Sequence, residues 1–188
     1  LLFIAEGYLE SEKSLFLSDI QELTDSLFSV SPFKEYKSFF NIIAVTTESN
    51  QPGAGTNGQT DYDNVFGTTF GKAGSGAGII DTKPGVLDSV ANNHWPYPHT
   101  KVVLINDSRG GGVAYGGEVF TSKSPIWIDI AIHELGHAVG NLKDIYDYTF
   151  HSTGSNISQS NGKDIVPWKH WFESDGTPKA NDVDVIEF

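Results

Sequence analysis

Apolar residues recur along this chain in several distinct rhythms. Leu1 to Ala5 form an unbroken apolar run, too short for a helix and suited to a buried strand. In "SEKSLFLSDIQELTDSLFS" the apolar positions Leu15, Ile20, Leu23, Leu27 and Phe28 fall near helical spacing. Ser11 is the expected cap of that helix, Glu12 and Glu22 belong to its exposed face, and Pro32 in "SPFKEY" ends it. "FFNIIAVTT" is continuous and rich in β-branched residues, which predicts a central strand. From Glu48 to Gly78 glycine, asparagine and threonine interrupt every pattern. That stretch is too broken for a helix and too aromatic for a linker, and it reads as a long ordered excursion.

"KPGVLDSVANN" predicts a short helix and "TKVVLIND" a third buried strand. "SRGGGVAYGGEVFTS" alternates glycine with aromatic and aliphatic residues, as an exposed edge strand with bulges would. "SPIWIDIAIHELGHAVG" is the main helix. Ser124 caps it, Pro125 sits in its first turn, Ile126, Ile130 and Leu135 face the core, and Gly140 or Asn141 ends it. Beyond Tyr148 the pattern loosens, with Trp168, Trp171 and Phe172 as expected anchors. There is no internal repeat and no linker, so residues 1–188 read as one domain.

Composition narrows the partners. With 38% hydrophobic residues the chain is globular in character. Twelve basic residues against 24 acidic ones leave a net charge of −12, which repels both a phosphate backbone and an anionic bilayer surface. No apolar run approaches the roughly 20 residues that span a bilayer. The chain holds no cysteine, which excludes disulfides and thiolate metal sites. It opens without an initiator methionine, a basic leader or a cleavage site, as an excised domain or processed product would.

The chemistry concentrates in "HELGHAVGNLKD". Positions i and i+4 of a helix share one face, so His133 and His137 can bind one zinc ion through imidazole nitrogens. Glu134 is turned about 100° away round the helix, beside the metal, where it can take a proton from a water. Shuffling this composition yields His-Glu-x-x-His only roughly 0.01 times per chain. On so apolar a helix these three polar residues cost desolvation unless something satisfies them. A third ligand is needed for tetrahedral zinc. The left-handed turn that Gly140 and Asn141 permit would let Asp144 fold back to the metal. Glu173 and Glu187 are rivals for that place. His94, His99, His151 and His170 read better as surface or core histidines.

From these residues the chain resembles the immunoglobulin-A-peptidase-type zinc metallopeptidases, distant relatives of the metzincins. Their pattern, His-Glu-x-x-His-x-x-x-Gly-x-x-Asp, stands here as His133, Glu134, His137, Gly140's neighbourhood and Asp144. Metzincins proper place a histidine where this chain has Lys143. The stretches "FIAEGYLESEKSLFLSDI", "SPFKEYKSFFNIIAVTTES", "KVVLINDSRGGGVAYGG" and "VPWKHW" extend the likeness over about residues 2–171. Three features depart from the family: Ile145 replaces a glutamate, Asn141 stands where glycine is common, and no methionine exists to form the turn beneath the metal. The ending "VIEF" fits a chain cut before that turn.

The resemblance implies an α/β (α+β) fold, a metzincin-like zincin catalytic domain. Its mixed twisted sheet would carry an antiparallel edge strand packed on the active-site helix. It implies a secreted, periplasmic or cell-surface bacterial endopeptidase with one catalytic Zn2+, acting on protein or peptide substrates as a monomer. Glu134 is the expected general base, and Tyr146 or Tyr148 a candidate for stabilising the oxyanion. Gly112, Val113, Ala114, Tyr115 and Gly116 form the candidate edge for pairing with an extended substrate. Asp61, Asp63 and Asp81 are carboxylates that could hold a structural Ca2+, solvated loop acids being the simpler account. The competing reading is an inactive, peptidase-like module that binds host proteins or glycans.

Overall fold

The computed structural model describes residues 1–57, 62–71, 79–80, 83–144 and 156. The chain divides into two compact units, Leu1–Ala138 and Val139–Phe188. In the first unit β1 (Leu2–Glu6), β2 (Ile43–Val45), β6 (Lys101–Ile105), β7 (Gly112–Tyr115) and β8 (Glu118–Ser122) form a five-stranded sheet, ordered β2-β1-β6-β8-β7. The first four of that order run parallel, and β7 joins β8 antiparallel at the edge. The expected mixed sheet with an antiparallel edge strand is what forms.

Both faces of this sheet are covered, which is why β1 and β6 read as unbroken apolar runs. Phe3, Ala5, Val102, Leu104 and Val119 pack against α1 (Lys13–Leu27) and α3 (Trp127–Gly140). The opposite face, Leu2, Ile4, Val103, Ile105 and Phe120, packs against α2 (Val86–His94) and against Phe66 and Phe70. Those two aromatics belong to the glycine-rich excursion, whose short strands β3 (Gly55–Thr56) and β4 (Thr69–Phe70) make a second small sheet with β5 (Ile79–Ile80), which directly follows it. The excursion is therefore a covering layer. Each buried phenylalanine contributes about 2–3 kcal/mol towards holding it there.

Polar contacts fasten the same layer. Glu6, wholly buried at the end of β1, accepts the backbone N–H of Val65 and Phe66 at 3.1 Å each. It also accepts the N–H of Thr68 at 3.2 Å and that residue's hydroxyl at 3.0 Å. Burial pushes its carboxyl up to about 7 although these donors pull the other way. Gly53 N–H donates to the Gly7 carbonyl at 3.0 Å, and both glycines hold positive φ. A Cβ at Gly7 would land on the Gly53 backbone, 2.7 Å from its Cα. Arg109 stacks 4.3 Å over the Phe70 ring, donates to Thr56 Oγ1 at 2.7 Å and bonds the Ala54 carbonyl. Burial works to raise its partner Asp107, and the bonds from Arg109 and from backbone N–H groups outweigh it, leaving that carboxyl low.

Several elements differ from their sequence expectation. Ser11 lies in a 3-10 turn (Glu10–Glu12) and caps nothing; Glu12 Oε2 instead accepts the Leu9 N–H at 2.9 Å. The buried stripe of α1 is Phe16, Ile20, Leu23 and Leu27, while Leu15 is exposed. The "FFNIIAVTT" strand shrinks to three residues at the sheet edge, because it pairs only with β1 among the described strands. The glycine-rich "edge strand" is a hairpin: β8 is an inner strand, β7 the edge, and Gly116 and Gly117 the turn, both at positive φ. Gly116 therefore leaves the candidate substrate edge.

Candidate metal centre

Helix α3 follows β8 directly and starts at Trp127, later than expected. Pro125 and Ile126 form a turn in which Trp127 N–H donates to the Ser124 carbonyl at 3.0 Å. Ile126 is exposed and Ile130 half-buried; the core-facing stripe is Trp127, Ala131 and Leu135 at i, i+4 and i+8. Ahead of the helix, Lys123 places its ammonium 2.6 Å from Asp19 Oδ2, and the Tyr8 hydroxyl donates to the same oxygen at 2.8 Å. This buried carboxylate on α1 ties down the entry to α3.

With Trp127, Ala131 and Leu135 turned inwards, His133 is exposed and His137 half-exposed. Their Nε2 atoms lie 3.1 Å apart, with the rings edge to face at 4.6 Å between centroids. Two imidazole nitrogens that close can both reach one ion at about 2.0–2.1 Å. The donor set suits a borderline cation such as zinc. Glu134 differs from both: it is buried, only 8% exposed, and turned towards β7. At Gly112 of that strand a Cβ would stand 3.0 Å from Glu134 Oε1. Residues 1–177 match the family model described as IgA Peptidase M64.

The chain belongs to that family.

No protein among the curated sequences matches it. Membership of M64 makes the chain a metallopeptidase, with protein as its substrate class. Among the described residues no helix is long and apolar enough to cross a membrane.

The remaining expected residues fall in different places. Gly112, Val113, Ala114 and Tyr115 are β7 itself, with Tyr115 strongly exposed. His94 closes α2 and is exposed, as is His99. Asp63 accepts a hydrogen bond from the Asn50 amide at 3.0 Å. Asp61, Asp81, Tyr146, Tyr148, His151, His170, Glu173 and Glu187 lie outside the described residues.

The second unit begins within the last turn of α3. Asn141, at φ 50°, takes the left-handed conformation that ends the helix. Asp144 is half-buried and its Oδ1 is screened from solvent. Beside it the Asn156 side chain grips the Lys143 backbone from both sides: Lys143 N–H donates to Oδ1 and Nδ2 donates to the Lys143 carbonyl, each at 2.8 Å. Nothing in the sequence pattern marks Asn156 out, since one asparagine in a polar stretch carries no periodic signal.

Proposed function

We propose that this M64 peptidase is a zinc-dependent endopeptidase in which His133, His137 and Asp144 are the protein ligands and Glu134 is the general base. The observation that carries the reading is the pair of imidazole nitrogens 3.1 Å apart on one helix, with a buried glutamate next to the first. Asp144 is supported by its position seven residues beyond His137. Its carboxylate would complete a donor set of two imidazoles and one carboxylate, which suits zinc.

Zinc, when bound, polarises a carbonyl and lowers the pKa of a water. Glu134 accepts a proton from the attacking water and delivers it to the leaving amine as the C–N bond breaks. Its burial keeps bulk water from competing for that proton. The edge of β7 that no described strand covers, from Gly112 to Tyr115, pairs with an extended substrate through backbone hydrogen bonds, which select for chain rather than for side chains. Tyr146 or Tyr148 donates to the developing oxyanion. The setting we assign is secreted, periplasmic or cell-surface, in a bacterium.

Glu134→Gln tests the reading. Hydrolysis of a peptide library should fall by about 10²–10⁴-fold with one zinc per chain retained. Parental turnover in that variant, or a parent whose activity is indifferent to removal of zinc, would overturn it.

A further inference from the structure

Four glycines in and just before the β7–β8 hairpin can be compared for the room they leave. A Cβ at Gly116 would meet nothing within 4 Å, one at Gly110 would find Ser124 at 3.6 Å, and one at Gly117 the His99 carbonyl at 3.7 Å. Gly112 is different. A Cβ there would overlap Ile130 Cγ2 and lie 3.0 Å from both Cγ and Oε1 of Glu134. Gly112 is not among the positive-φ glycines and sits in regular register opposite Thr121, so the strand backbone does not require glycine. The requirement comes from the helix packed against it.

We propose that Gly112 is a positioning residue for Glu134: its bare Cα lets the edge strand lie against α3, so that strand backbone walls the carboxylate in place. The proposal rests on the reading of Glu134 as general base. The same strand offers substrate the edge that no described strand covers, so the close approach at Gly112 also sets the distance between substrate backbone and base. A methyl group at this point pushes on both, with Ile130 as the second obstacle.

The test compares the zinc-loaded parent with Gly112→Ala, Ile130→Ala and the double variant. Shortening Ile130 removes the overlap with Cγ2 but leaves the new methyl against Glu134. Gly112→Ala should lower both Tm and kcat. The double variant should return to the Tm of Ile130→Ala while its kcat stays about tenfold or more below that of Ile130→Ala, with zinc content unchanged. Recovery of kcat together with Tm means that the glycine serves packing alone and overturns the proposal. A crystal structure of the double variant decides without turnover: a Glu134 carboxylate displaced by about 1 Å supports the proposal, and an undisplaced one overturns it. A zinc-bound parent that cleaves no peptide would instead sink the assignment of function, leaving that structural comparison to decide the role of Gly112.

Discussion

Replacing Glu6 by glutamine probes how the fold holds a buried acid at the end of β1. The carboxyl has no solvent exposure, and burial pushes it from an ordinary 4.5 up to about 7. In the unfolded chain the proton leaves near pH 4.5, while the folded chain keeps it until about 7. Between those values folding binds a proton, so the contribution of Glu6 to stability is largest at low pH and falls as pH rises. At 1.36 kcal/mol per unit the full swing is about 3 kcal/mol, or about 6–12 °C in Tm for a chain of this size. Thermal unfolding of parent and Glu6→Gln at pH 5 and pH 8 isolates the effect, because every other ionisable group is common to both chains and cancels in the difference. The parent should gain on the variant by about 2.5 kcal/mol on going from pH 8 to pH 5, most of the full swing. A difference that stays constant, or one that favours the parent at high pH, refutes the argument. The latter would mean that the N–H groups of Val65, Phe66 and Thr68 hold the carboxylate ionised against its burial.

Three further outcomes follow from the packing. Leu135→Ala empties a fully buried position where α3 meets the sheet and should cost about 2–5 kcal/mol in urea unfolding; a loss below 1 kcal/mol would mean that the helix does not rest on this residue. Asp19→Asn leaves Lys123 without its carboxylate and should cost about 2 kcal/mol, less than a fully buried pair because the lysine is partly exposed. If Lys123→Met on that background does not recover part of the loss, the stranded ammonium is not its cause. Asn156→Ala removes both bonds to the Lys143 backbone and should weaken zinc about tenfold in a chelator competition. Unchanged affinity would show that the segment carrying Asp144 needs no such support.

The sequence by itself determined β1, α1, α2, β6 and the helix that carries His133, Glu134 and His137, together with a helix stop at Gly140 or Asn141. Each depends on spacing within a single segment, where period and propensity act locally. The family pattern was legible for the same reason, being confined to 12 contiguous residues. Finer choices within an element already escaped that reading: α1 buries Phe16 and exposes Leu15, although the two are adjacent apolar residues. Only the tertiary structure decided that "FFNIIAVTT" becomes an edge and β8 an inner strand, since strand order depends on which segments pair: β2 with β1, 41 residues back (Leu2↔Ile43), and β8 with β6, 17 residues back (Lys101↔Glu118). It also decided that the glycine-rich excursion roofs the sheet, through Glu6 and the N–H groups some 60 residues away. Likewise it set Gly112 against Glu134. Periodicity records how much of a residue is buried, but not by what, and the groups that bury Glu6 and wall in Glu134 come from distant parts of the chain.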